Sequence, residues 1–353
     1  MSKLKSPSIT IKFEEKGASA IARGDRGIVA LILRGKAKAV HKITNVTDIP
    51  KDMDDENKSY IMDALKGYTN APKRVVAIVI GKEEKDYTGA LKALAIEDFN
   101  ILAAPKATTD KQAENIASWI KSQRGEGNMV KAVLPECKAD TEGVINWTST
   151  LIKDGVKIKP ETTTPRIAGV IAGTGITISA TYAPLLEYDD VVRLTKAETD
   201  NAVGNGELVA IWDGEKVKLN RAVTSLITTT DVKKDQFKKI KVVEDMDMIK
   251  TDIVKTIEDD YIGKYANSYD NKCLLTTAVQ GYLNGLIRDG VLGRAECRID
   301  VEAQRLYLQQ RGAKVEEMTD DDVKNANTGS HVFLAARVNI LDTIEDVDMQ
   351  VTI

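Results

Sequence analysis

Histidine and cysteine are scarce in this chain of 353 residues: it has His41 and His331, and Cys137, Cys273 and Cys297. So few of these side chains leave little material for a zinc site or a histidine-based catalytic centre. The cysteines are odd in number, far apart and without a CxxC pair, which excludes a disulfide framework. They read as buried apolar thiols of a protein folded in a reducing compartment. Aromatic residues make up only 5%, so the core must be aliphatic. Neither charge sign dominates: 50 Lys and Arg face 53 Asp and Glu, a net charge of −3 that makes no electrostatic case for binding nucleic acid. No apolar run approaches the roughly 20 residues of a membrane span, so no membrane insertion is expected. The opening MSKLKSPSITIKFEEK lacks the apolar stretch of a signal peptide, so assembly in the cytoplasm is expected. What remains is an ordinary globular composition, 42% hydrophobic and 29% charged, at a length that suggests about two domains.

Both ends carry an alternating pattern. Ile9, Ile11 and Phe13 alternate with Thr10 and Lys12, and Val347, Met349, Val351 and Ile353 alternate with Asp348, Gln350 and Thr352. Each reads as a β-strand with one apolar face. Terminal segments fray unless docked, so each strand needs a sheet to join, in its own subunit or in a neighbour.

Between the ends, Gly27–Leu33 and Val75–Ile80 are near-continuous apolar runs of strand length, the signature of strands covered on both faces. Helical patterns fall at Glu56–Lys66, Tyr87–Ile96 and Lys111–Gln123, with further strands at Asn100–Ala104 and Met129–Leu134. This is an α/β (α+β) pattern. It closes near Ile152–Pro160, which reads as turn and strand. The second half opens on a small-residue helix, Pro165–Ala172. Strands follow at Glu207–Trp212 and Ala222–Thr228, with Asp213-Gly214 as a hairpin turn before Val217. Two helices come next, one with Ile249, Ile253, Ile257, Tyr261 and Tyr265 every four residues, the other from Leu274 to Ile287 and capped at Gly290. A shorter helix at Val301–Arg311, a polar loop at Asp320–Thr328 and a strand at His331–Ile340 complete the pattern, the strand with Val332, Leu334, Ala336, Val338 and Ile340 on one face.

The short motifs favour no chemistry. Gly173-Thr174-Gly175 lacks the Lys-Ser/Thr of a phosphate loop and reads as a helix-terminating turn. Asp52, Asp54, Asp55 and Glu56 lack the glycine and distal glutamate of a calcium loop and read as a solvated cap for the next helix. Arg23-Gly24-Asp25 is a chance tripeptide. No serine sits in a nucleophile elbow, and no carboxylate pair has a catalytic context. Asp231–Lys241 packs five lysines into a short polar segment, a solvated face by default and a docking patch for an acidic partner in the sharper reading. No cofactor or metal is expected, and no nucleic acid.

The second half resembles contractile tail sheath proteins, especially those of Gram-positive myophages, PBSX-type prophages and clostridial R-type bacteriocins. The resemblance is carried by Arg166–Gly173 (RIAGVIAG), Ser179–Tyr182, Leu186–Val191 (LEYDDV), Gly206–Asp213 (GELVAIWD), Asn220–Leu226 (NRAVTSL), Asp252–Lys264 and Ile299–Gln304, and near the start by Arg26–Leu31. It implies two domains, a smaller variable outer α/β domain at 23–160 and a larger sheath core domain at 161–340, with strand arms at 1–22 and 341–353. The implied function is structural: subunits stack as six-fold rings around an inner tube, are held in a metastable extended state, and contract to drive the tube through a cell envelope. Tube, baseplate and terminator or collar proteins are the implied partners, and a virion tail or bacteriocin particle the destination. By analogy Ile9, Ile11, Phe13, Val347, Met349, Val351 and Ile353 line arms that enter neighbouring subunits, and Val332, Leu334, Ala336 and Val338 belong to the recipient sheet. Lys233, Lys234, Lys238, Lys239 and Lys241 are candidate tube contacts, with the helix before Tyr265 as a second candidate. The alternatives are a nucleotide- or phosphate-binding α/β enzyme and another tail component.

Overall fold

The computed structural model describes Ile21 and residues 27–352. The chain divides into two compact units: one holds residues 27–254 with Arg288–Gly293 and the described segment from Asn339 onward, the other Ile21, Lys255–Ile287 and Arg294–Val338. The contacts between residues divide the chain at 254, and one sheet draws strands from both sides of residue 160.

The first unit is built on β1 (Ile28–Gly35), β2 (Ala39–Ile43), α1 (Asp55–Leu65), β3 (Arg74–Gly81), α2 (Thr88–Leu94), β4 (Ile101–Ala103), α3 (Ala113–Glu126), β5 (Lys131–Pro135) and β6 (Val144–Trp147). It continues through β7 (Leu151–Lys153), β8 (Val156–Ile158), α4 (Pro160–Ala172), β9 (Asp190–Val191), α5 (Lys196–Gly204), β10 (Glu207–Leu208), β11 (Ala210–Trp212), β12 (Val217–Leu219) and α6, which begins at Ile240. Seven strands form one sheet in the order β10-β6-β5-β4-β1-β3-β2, parallel except for β2.

The continuous apolar runs have the expected cause. In β1 and β3, Val29, Leu31, Leu33, Val75, Ala77 and Val79 enter one core with α1 and α4. The intervening Ile28, Ala30, Ile32, Val76, Ile78 and Ile80 enter a second core with α2 and α3. Successive strand residues point to opposite faces, so a strand between two helical layers is apolar at every position. The two hairpins also sit at their sequence signals. Asp154 and Gly155 both have positive φ between β7 and β8, as a type I′ turn requires. Asp213 Oδ1 accepts from the amides of Glu215 and Lys216 between β11 and β12.

The RIAGVIAG motif is a packing device. A Cβ on Gly169 would lie 2.2 Å from the carbonyl oxygen of Ala64 in α1, and one on Gly173 would lie 2.2 Å from that of Asn70. Backbone meets backbone there, and nothing can yield. Gly169→Ala is therefore expected to destabilise the unit by about 1–3 kcal/mol, the cost of overpacking a filled core. Gly281, in a helix of the second unit, has nothing within 4 Å of its Cβ position. There the same change should stabilise by about 0.5–1 kcal/mol through helix propensity. Urea denaturation of the two variants checks the opposite signs.

The second unit contains α7 (Tyr269–Arg288), β13 (Leu292–Ile299), α8 (Val301–Gln310), α9 (Asp320–Asn325) and β14 (Leu334–Ile340). β13 and β14 pair as a two-stranded sheet. Leu308, Val315 and Val323 make a small core. The stretch read as a polar loop at 320–328 begins with α9, because Thr319 and Asp322 form a capping box and the acids Asp320–Asp322 sit in its first turn, at the positive end of the helix dipole. The buried Lys272 donates to the carbonyls of Lys324 and Ala326 at its end, and burial lowers its pKa. The helix expected across Ile249–Tyr265 stops at Thr256 and closes in a π-helical turn, Ile257–Tyr261. The strand expected at Ala222–Thr228 is absent; a single bridge joins Val223 to Lys239. Side-chain bonds replace the ladder there, with Thr224 donating to the Phe237 carbonyl and Ser225 to that of Thr141.

All three cysteines are free. Burial, with the Glu114 carboxylate adding to it, pushes the Cys137 thiol up to about 12, and burial raises Cys297. A thiol reagent at pH 8 is therefore expected to modify the part-exposed Cys273 first, as peptide mapping of a time course would show.

Candidate functional site

The described chain ends in a segment of unusual character. Residues 341–352 form no helix or strand, and their apolar side chains point outward: Ile344 is 89% exposed, Val347 77%, Met349 80% and Val351 69%. The alternating pattern thus joins no strand among the described residues. An apolar series left in water marks a surface awaiting a partner. Ile353, and Ile9, Ile11 and Phe13 of the N-terminal arm, lie outside the described residues.

The expected recipient is placed as follows. Leu334, Ala336 and Val338 lie in β14, whereas Val332 and His331 precede it. Among the described residues β14 pairs only with β13. Among the described residues its outer edge has no strand neighbour, and a two-stranded sheet is marginal on its own. Leu334 is half-buried, while Ala336 and Val338 are exposed.

The acidic residues at the root of the arm are paired with side chains of the first unit, and Glu345 among them is turned inward. The Leu341 amide donates to the Val291 carbonyl at 2.9 Å. Lys241 Nζ donates to the Leu341 carbonyl at 2.6 Å and to Asp245 at 2.5 Å. Lys239 Nζ reaches Asp342 at 2.5 Å and Glu345 at 2.9 Å. Thr181 Oγ1 donates to Glu345 at 2.6 Å, Arg221 Nε lies 3.5 Å from the same carboxylate, and the Arg221 guanidinium also pairs with Asp346. The Glu345 side chain is only 5% exposed. Burial pulls the Lys239 and Arg221 pKa values down, but their carboxylate partners more than offset it and hold both above their usual values. Sequence reasoning missed this cluster. Thr181 and Arg221 stand inside SATY and NRAVTSL, two stretches that carry the resemblance, yet their partners lie more than a hundred residues away.

All five candidate lysines have partners within the chain. Lys233 pairs with Glu142, Lys234 with Asp231, Lys238 with Asp235, and Lys239 and Lys241 as described. Lys233, Lys234 and Lys238 keep substantial exposure, whereas the Lys241 side chain is 4% exposed.

The phosphate-loop alternative meets the wrong helix polarity. Phosphate loops place their glycines before a helix N-terminus. Here Gly173–Gly175 follow the C-terminus of α4, the negative end of its dipole, and no helix begins until Lys196. The adjoining cavity of about 570 Å³ is lined by Glu244, Asp245, Asp247 and Asp252 beside Lys73, Lys131 and Lys241, of which Lys131 and Lys241 are already paired with Asp247 and Asp245. Among the described residues no cluster of His, Cys, Asp and Glu could hold a metal ion, and no helix is long and apolar enough to cross a membrane.

Comparison with known proteins follows the same lines. The profile of the phage tail sheath protein central domain matches residues 81–225, and that of the phage tail sheath C-terminal domain matches 232–353. A tail sheath protein of Clostridium phage phiCD119 is 37% identical over 350 residues, 98% of each chain. The sheath tail protein of Desulfitobacterium hafniense shares the fold with a TM-score of 0.68 at 20% identity, over 83% of this chain and 94% of its own. The helical sheath of the anti-feeding prophage in its contracted state superposes with a TM-score of 0.73 at 15% identity, over 99% of each chain.

Proposed function

This chain belongs to the phage tail sheath family, and on that premise we propose that its subunits are joined into a lattice by strands exchanged between neighbours. It is a structural subunit of a contractile tail. One observation carries the proposal: an apolar alternating segment at 347–352 stands exposed while β14 keeps an edge without a strand neighbour among the described residues. Strand addition satisfies both at once. Main-chain hydrogen bonds, each worth about 0.5–1.5 kcal/mol net, supply connectivity, and the alternate apolar residues supply specificity. The N-terminal arm with Ile9, Ile11 and Phe13 plays the same part for another neighbour, and stacked six-fold rings result.

Such joints tolerate rigid-body rotation, so a subunit can slide from an extended packing into a contracted one without losing its neighbours. The energy is stored in the metastable packing, and contraction drives the inner tube forward without nucleotide. Lys233, Lys234 and Lys238, which keep their exposure, are the lysines carried forward as tube contacts. Baseplate and collar proteins bound the lattice at its ends, and the sheath assembles in the bacterial cytoplasm as part of a virion tail or bacteriocin particle.

Negative-stain microscopy of the chain co-expressed with its tube protein, beside a version ending at Asp346, tests this reading. Sheathed tubes are expected from the intact chain alone. Equal sheaths from the shortened chain refute strand donation by the C-terminal arm.

A further inference from the structure

We propose that Thr181, Arg221, Lys239 and Lys241 form a clamp on residues 341–346, which fixes the root of the C-terminal arm so that it pivots at Asp346–Val347. The proposal rests on strand donation and assigns the residues that position the donated strand.

The segment inverts the usual order of burial. Glu345 turns inward to a hydroxyl, an ammonium and a guanidinium, while Ile344, Val347 and Met349 stay in water. The clamp residues come from three places in the sequence: the turn after α4, the stretch after β12 and the start of α6. A nearly buried carboxylate with these partners is satisfied in one position, since withdrawing it strands both the charge and its cations. Main-chain contacts add to this, with Leu341 held at both its amide and its carbonyl. Beyond Asp346, no side chain from Val347 to Thr352 has a hydrogen bond or ion pair among those found. The boundary between held and free chain thus falls at one peptide.

This boundary sets the reach of the arm. Thirteen extended residues, 341–353, span about 45 Å, but the seven beyond the clamp span only about 24 Å. Halving a tether raises the effective concentration of its tip by about threefold, from the −3/2 power of length. A fixed root also selects one direction, hence one neighbour, and passes any pull on the arm to the folded unit.

The test compares Arg221→Ala/Lys239→Ala, Glu345→Gln and a control, Lys38→Ala/Lys42→Ala, which removes two exposed ion pairs far from the clamp in sequence, in the full chain. Glu345→Gln keeps the side-chain shape and removes its charge, so it guards against misfolding of the double variant. In the unassembled protein, hydrogen exchange of the Leu341 amide, which donates to the Val291 carbonyl, is expected to speed up about tenfold in both clamp variants and to stay unchanged in the control. Sheaths from the clamp variants should be fewer and lose helical order. Unchanged exchange and well-ordered sheaths in both clamp variants overturn the clamp. A chain ending at Asp346 separates the two failures. If it assembles like the intact chain, strand donation itself is wrong; if it fails while the clamp variants assemble normally, only the clamp is wrong.

Discussion

Asp247→Ala is expected to destabilise the first unit by about 3–5 kcal/mol, the cost of removing one partner from a buried ionic cluster. Asp247 accepts two hydrogen bonds from Arg124, at 2.8 and 2.9 Å, and one from Lys131 at 2.7 Å. Lys131 is 2% exposed and also pairs with Glu244 at 3.0 Å. The cluster ties α6 to α3 and β5, so the loss falls on the packing of three elements. The dependence on pH should change sign. Burial pulls the Lys131 pKa down, but Asp247 and then Glu244 more than offset it, so it lies above its usual value. A raised lysine contributes stability that is complete below the unfolded pKa and is lost as pH rises through the folded one. In the variant, burial and the Arg124 charge act with only Glu244 opposing them, and the Lys131 pKa should fall below the unfolded value. The folded state then binds fewer protons than the unfolded state, and stability should rise with pH. Urea denaturation at pH 7, at pH 10 and above pH 11 reads both effects, since the variant's gain falls below the unfolded lysine pKa and the parent's loss above it. Equal stability of the variant and the parent at pH 7 would refute the role of the cluster.

Met349→Asp should leave the subunit intact and abolish the lattice. Met349 is 80% exposed in the unassembled chain, so its replacement there belongs with ordinary surface changes, within about 0.5 kcal/mol. In a donated strand the same position faces a neighbour's apolar surface, and an unpaired carboxylate buried there costs several kcal/mol. Under strand exchange every subunit would donate a C-terminal arm, so the cost would recur at every such joint. The melting temperature is expected to match the parent, while sedimentation shows no species above the unassembled chain. Normal sheaths from this variant would sink the assignment of the arm's apolar face.

Much of the fold was legible in the residues because its signals are local. The two-faced apolar runs at 28–33 and 75–80, the glycine turns at Asp154-Gly155 and Asp213-Gly214, and the exposed alternation at 347–352 each need only their neighbours in sequence. Signals of long separation were not legible. The strand read at 222–228 is a loop stitched to residues 141 and 237 by hydroxyl groups, which imitate the apolar alternation of a strand. α4 begins at Pro160 rather than Pro165, and the interior proline is carried by close packing on α1. The lysine-rich segment looked like a solvated face because its partners Glu142, Asp342 and Glu345 lie about ninety or more residues away. Charge within a window shows that partners are wanted and cannot show where they are.

A helical reconstruction of the assembled sheath, at a resolution that traces the main chain of residues 341–353, tests strand exchange most directly. The account predicts that 342–346 stay on their own subunit while 347–352 run as a strand along β14 of a different one. A C-terminal segment that returns to its own subunit, or that touches no neighbour's sheet, would contradict it.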